Sequence, residues 1–282
     1  MMISKFFKIY LYGNFHIALG AASITLMTYL STNKTVDNDY IALIFCATLC
    51  LYNLHRIIAS KIEYQHFGIR RFFIAQQHLK FHYFLVLISA LIGLYFLQFL
   101  KSYMFLVFFI LGMISLLYVF PIFNSKRILR DFPLTKSISV GIVWSAITAT
   151  IPLIESGFHV NTISWLSLER FLFITAITIP FDIRDLKVEN ENHVITIPGF
   201  FGVRNSKLIS IGLLLFASAI LLQYTSVFII SLEALIAFEI TYFISCILII
   251  KSNESRGDWY YNGLMDGMVI LPLMLFLIFS QL

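Results

Sequence analysis

Charge is scarce in this chain. Only 12% of its 282 residues are Asp, Glu, Lys or Arg, against 59% apolar, where soluble domains carry roughly 25% charged and about 45–50% apolar residues. That deficit, with a mean hydropathy of +0.87, argues against a soluble globular enzyme. Disorder is excluded by the 29 Phe, 14 Tyr and 3 Trp, because chains that stay unfolded in water are poor in such residues. Cysteine is scarce too. Cys46 and Cys50 lie four apart in one apolar run and Cys246 in another, so they read as small buried hydrophobes, with neither disulfide geometry nor zinc spacing. A glycine-rich phosphate loop is missing. No small-residue cleavage pattern follows the first apolar run, which is therefore expected to remain as a span.

What is present is a series of long apolar stretches. A bilayer demands about 20 apolar residues per crossing helix, since a backbone polar group left unpaired in hydrocarbon costs several kcal/mol. Nine runs meet that need, at about Ile9–Tyr29, Tyr40–Ala59, His82–Leu100, Tyr103–Phe120, Leu134–Ile154, Ile163–Phe181, Leu208–Thr225, Val227–Ile250 and Tyr261–Ser280. They are continuous and rich in Leu, Ile and Phe, unlike the short alternating strands of a membrane barrel. The expected fold is all-α, one polytopic membrane domain over residues 1–282. The junction at Tyr224–Val227 is the tightest, with two spans meeting at a short turn.

Positive residues are retained on the cytoplasmic side of short loops. Of the 20 Lys and Arg, all but Lys34, Lys101 and Arg170 fall on one side of a nine-span arrangement. The N-terminus is thus expected in the cytoplasm, with the protein in the plasma membrane. This asymmetry accounts for the net charge of +5, and no nucleic-acid partner is needed to explain it. The cytoplasmic connections, about 60–81, 121–133 and 182–207, are long and the outer ones short, which directs the search for chemistry to the inner face.

The most informative stretch runs from Pro180 to Pro198. Asp182 and Asp185 are three apart and Glu189 follows four later, so a helix continuing out of the sixth span puts three carboxylates on one face. Such a stripe suits Mg²⁺, which takes one or two carboxylates and fills its other positions with water and phosphate oxygens. It suits equally a solvated, charged helix end with Arg184 and Lys187 as internal partners. Farther out, Glu233, Glu239 and Asp266 stand within apolar runs, where charges face the bundle interior with a partner; Arg170 is the expected partner for one of them. His66, His78 and His82, with Gln76 and Gln77, read as a wet amphipathic cap.

The string Asp-Ile-Arg-Asp-x-x-x-Glu at 182–189, followed by Thr196, Pro198 and Gly202, resembles the second aspartate-rich motif of the UbiA superfamily of intramembrane prenyltransferases. Tyr118 and Pro121, leading to Lys126, Arg127 and Pro133, resemble that family's basic segment between spans four and five. The resemblance implies nine helices around a lipid-open cavity, with Mg²⁺ holding an isoprenyl diphosphate that ionises to an allylic cation captured by an aromatic or lipidic acceptor. Carried over, Asp182 and Asp185 are the catalytic acids. With Glu189 they are the metal ligands, and Asn53, Arg56, Lys126 and Arg127 meet the diphosphate. An isoprenyl diphosphate and membrane lipid are the implied partners.

The first motif departs from the family. Its form, Asn-Asp-x-x-Asp-x-x-x-Asp, falls here on Tyr52-Asn-Leu-His-Arg-Ile-Ile-Ala-Ser-Lys61, so Asn53 matches while the acid positions hold Leu54, Ile57 and Lys61. Two outcomes follow. Arg56 and Lys61 bind phosphate directly, as Arg does with two parallel hydrogen bonds, or the acids of 182–189 pair with Arg56 and the bundle is a catalytically silent binder of a lipid or an anion.

Overall fold

A computed structural model describes residues 2–62, 76–117, 134–191 and 194–281. Among these the ordered elements are helices: α1 (Met2–Tyr12), α2 (Phe15–Ser31), α3 (Asn38–Ile62), α4 (Leu79–Leu97), α5 (Ser102–Leu117), α6 (Thr135–Ser145), α7 (Ile151–Glu155), α8 (Val160–Glu191), α9 (Ile197–Ser226), α10 (Leu232–Lys251) and α11 (Leu271–Phe279). A π-helical turn, Ala146–Thr150, joins α6 to α7 in one rod, and a second, Trp259–Met265, precedes α11.

Five helical stretches among the described residues are long and apolar enough to cross a bilayer: Asn38–Ser60, Leu79–Leu97, Thr135–Glu155, Ile197–Ser226 and Leu232–Lys251. Phe15–Ser31 and Met104–Leu117 are apolar but shorter. The fold is an all-α polytopic membrane fold. Its outer surface agrees, since Phe84, Leu87, Leu94, Phe109, Leu215 and Phe243 are all well exposed, as side chains facing lipid tails are.

Three expected boundaries move. The run Ile9–Tyr29 is broken: α1 ends at Tyr12, Asn14 takes a left-handed φ of 63°, and α2 starts at Phe15. Asn is among the non-glycine residues most often found in that conformation, and here its amide reaches across to Asn53 and Arg56. The expected loop 182–207 is largely helical, since α8 runs on to Glu191 and α9 begins at Ile197, with Pro198 in its first turn and a bend at Gly202 (φ 79°). Near Tyr224 the spans are separate, because Phe228 (φ 58°) turns the chain and the Ser231 hydroxyl accepts from Ala234 N at 3.3 Å to cap α10.

The chain divides into two compact units, Met1–Ala22 with Asp37–Ile128, and Ser23–Val36 with Leu129–Leu282. In the first, α3 starts where Asp37 Oδ1 accepts from Tyr40 N at 2.9 Å. It packs on the one buried stripe of α4, made by His82, Leu85, Ser89 and Gly93. Missing a Cβ, Gly93 lets Cys46 approach to 3.5 Å of where that atom would stand.

The second unit is built around α8. At 1.5 Å per residue its 32 residues span about 48 Å, more than a hydrocarbon core of about 30 Å requires of one crossing. α6 meets α8 closely at Gly141, whose missing Cβ would lie 2.2 Å from Thr175 Oγ1 and 3.0 Å from the Phe171 ring. Midway along α8 sits a buried ion pair. Arg170 Nε is 3.7 Å from Glu169 Oε2, and both side chains are buried. Tyr242 donates its hydroxyl to Glu169, while Arg170 donates to the carbonyls of Ile24 and Thr148 and to the hydroxyls of Thr28 and Thr148, at 3.1–3.2 Å. The expectation that Arg170 answers Glu233, Glu239 or Asp266 is corrected here. Its partner is the adjacent Glu169, because the turn of α8 aims both side chains inward, and Glu239 accepts instead from Ser218 at 2.7 Å.

Candidate functional site

The C-terminal end of α8 carries the acidic stripe. Asp182 is buried and Glu189 nearly so, and Asp185 is partly covered. The helix continues unbroken past Pro180, so spacings of three and four bring the three carboxylates to one side. What faces them is Lys136, from the first turn of α6. Its Nζ lies 3.0 Å from Asp182 Oδ1 and 3.7 Å from Asp185 Oδ2, and it donates to Glu189 Oε1. Next to it, Ser137 donates to Asp182 Oδ2 at 2.7 Å. The start of α6 is pinned to the chain after α8 by the bond from Leu134 N to Ile195 O, 3.0 Å.

Arg184 closes the other side. Its Nε and Nη2 donate to the two oxygens of Asp185 at 2.8 and 3.0 Å, and Nη1 donates to Asn262 Oδ1 at 3.2 Å. The guanidinium stands over the Phe181 and Tyr261 rings at 5.1 and 5.2 Å. Burial works against its charge, yet Asp185, Asp258 and Asp266 together hold it above its ordinary value. Burial likewise pushes the Glu189 carboxyl up; Lys136 pulls it back, and the charges of Asp182 and Asp185 push it up again. Two buried oxygens, Asp182 Oδ1 and Glu189 Oε2, have no directed hydrogen bond. The stripe is thus neither a freely solvated helix end nor an open set of ligands. It is a carboxylate cluster organised around one ammonium.

The first unit holds a separate polar cluster around Asn53 on α3, a residue wholly out of solvent. Its Nδ2 donates to the carbonyls of Gly13 and Leu49 at 3.1 and 2.8 Å. Its Oδ1 accepts from Asn14 Nδ2 at 3.1 Å and lies 2.7 Å from His82 Nδ1. Arg56 Nη2 donates to Asn14 Oδ1 at 3.2 Å. His82, expected in a wet cap, is buried: one turn into α4 it faces α3, and the Asn53 amide supplies its partner. Lys126 and Arg127, expected to meet the diphosphate, lie outside the described residues.

No family model matches the sequence, and no curated protein does. Solved structures do. An apo UbiA homologue from Aeropyrum pernix K1 superposes with a TM-score of 0.70 over 94% of this chain and 98% of its own, at 14% identity. The chain has the UbiA fold. A UbiA homologue from Archaeoglobus fulgidus bound to GPP and Mg²⁺ gives a TM-score of 0.63 at 10% identity, covering 97% of this chain and 99% of that one. A digeranylgeranylglyceryl phosphate synthase gives 0.58 at 16%, covering 96% and 98%.

Within this UbiA fold the sequence reading missed Lys136, Ser137, Asn14 and the role of His82. Lys136 counted only as one of the inner-face cations. The sole signal for it was that a lysine opens the fifth apolar run, and nothing local ties position 136 to 182. Asn14 had a signal in the Gly13-Asn14 pair, a turn dipeptide inside an apolar run.

Fitting Mg²⁺ to the stripe as it stands fails. Among the described residues no three His, Cys, Asp or Glu side chains are grouped to hold a metal ion. The oxygens that a metal at about 2.0–2.1 Å would need already face the Lys136 ammonium and the Arg184 fork.

Proposed function

We propose that this chain is a UbiA-type membrane prenyltransferase. It would transfer an isoprenyl group from an isoprenyl diphosphate to an aromatic or lipidic acceptor, working in the plasma membrane with its N-terminus cytoplasmic. The observation that carries the reading is the likeness over 94% of the chain to a UbiA homologue, joined to a carboxylate stripe at the C-terminal end of α8. That the Archaeoglobus homologue is bound to GPP supports an isoprenyl diphosphate as donor.

In this reading the allylic C–O bond breaks, the electron pair leaves with the diphosphate, and an acceptor nucleophile closes on the carbon cation and then loses a proton. Arg56, Lys126 and Arg127 are the proposed partners of the leaving diphosphate, since preorganised cations are most effective where negative charge develops. Asn53 orients that basic end through the Asn14 and His82 bonds. Asp182 and Asp185, held by Ser137, Lys136 and Arg184, are the proposed acidic wall of the site.

One observation favours a second reading, in which the bundle binds a lipid or anion without turnover: every acid of the stripe has a cation beside it. The test uses purified protein in lipid nanodiscs with radiolabelled geranyl diphosphate. Saturable binding and release of diphosphate are expected, with Arg56→Met weakening binding about tenfold or more, the worth of one charged contact. Binding without release selects the second reading. Binding and release unchanged in the Asp182→Ala, Asp185→Ala double variant overturn the assignment of the site.

A further inference from the structure

The Archaeoglobus homologue is bound to Mg²⁺, whereas the acidic stripe of this chain faces an ammonium. We propose that the Lys136 ammonium is the resident cation of the acidic stripe, standing where a divalent ion would otherwise be held, so that the second acidic cluster of this chain works without a metal.

Three features of the site converge on this. First, one Nζ is within 3.7 Å of an oxygen from each of Asp182, Asp185 and Glu189. Second, the ammonium cannot swing clear cheaply. Its side chain is mostly covered, its backbone is anchored beside the Leu134–Ile195 bond, and leaving would strand a buried carboxylate at Asp182. Third, a metal bound to these oxygens would stand within about 3–4 Å of the ammonium, where like charges in a partly dry site repel strongly. Mg²⁺ and Lys136 therefore exclude one another. The first motif offers no acids to tip the balance, because its positions hold Leu54, Ile57 and Lys61.

The inference shares its site with the proposed transfer, so its test reads cation binding and not turnover. Failure of geranyl diphosphate to bind would sink the transferase reading and leave this one standing. Full-length protein in nanodiscs is titrated with Mn²⁺, followed by the loss of the free-ion paramagnetic resonance signal, and its thermal unfolding is compared in EDTA and in millimolar Mg²⁺. The wild type is expected to show no saturable Mn²⁺ site and no shift of its unfolding midpoint. Lys136→Gln, which keeps a polar side chain one atom shorter and drops the charge, is expected to gain one Mn²⁺ site at least about tenfold tighter than any wild-type binding, and Asp182→Asn in that background to abolish it. Lys136→Arg keeps the charge and is expected to behave as the wild type. A wild-type Mn²⁺ site removed by Asp182→Asn overturns the proposal, whether or not the glutamine variant folds. So does a folded Lys136→Gln protein that binds no Mn²⁺.

Discussion

At the scale of single residues, the buried charges of α8 are answered at once. Glu169 and Arg170 are neighbours in sequence, buried, and tied to Tyr242, Thr28 and Thr148. Removing one member of a buried pair leaves the other uncompensated, a cost of about 3–5 kcal/mol, whereas replacing both with apolar residues is often near neutral. Arg170→Met is therefore expected to lower the unfolding midpoint in detergent sharply, and Glu169→Leu added to it to recover most of the loss. An Arg170→Met protein as stable as the wild type would show that the pair contributes little. The adjacency of the two residues is visible in the sequence. Their pairing is not, since neighbours on a helix diverge by about 100° and an ion pair between them requires surroundings that turn both side chains inward.

At the scale of elements, the decisive contact lies between α6 and α8. Gly141 brings the helices together where a methyl group would press on Thr175 Oγ1 at 2.2 Å and on the Phe171 ring at 3.0 Å. This is the small-residue close approach by which helices pack when lipid removes the hydrophobic drive between them. Gly141→Ala is expected to destabilise by about 1–3 kcal/mol, the usual cost of overpacking, measured by thermal unfolding. Thr175→Ala in the same chain is expected to return part of that, since it deletes the nearest clashing atom. The same packing seats Lys136, five residues before Gly141, against the stripe of α8. Helical spacing made it legible that Asp182, Asp185 and Glu189 share a face. Which cation they meet was not legible, because register between helices is set by shapes at the contact and not by the period of either one.

For the whole molecule, the spans were readable because a bilayer imposes their length and composition, and the boundaries that moved did so for local reasons: Asn14 ended a helix within an apolar run, and α8 and α9 kept their helical bonds in water past the apolar limit. Orientation rests on the cation asymmetry. Cysteine variants at Lys8 and Gln281, probed in intact cells with a membrane-impermeant thiol reagent in a background lacking Cys46, Cys50 and Cys246, are expected to label at Gln281 and not at Lys8. The reverse pattern would place the stripe on the outer face.

By itself, the sequence determined that this chain lives in a membrane, that it is helical, and that its acids cluster at one helix end, because hydropathy, length and the 3.6-residue period are properties of a segment alone. The tertiary structure decided what those acids touch. Lys136 and the stripe are separated by about two helices of chain, and only packing could bring an ammonium to three carboxylates. Asn53 meets His82 for the same reason: burial leaves a polar group no solvent, so whichever neighbour the fold supplies becomes its partner.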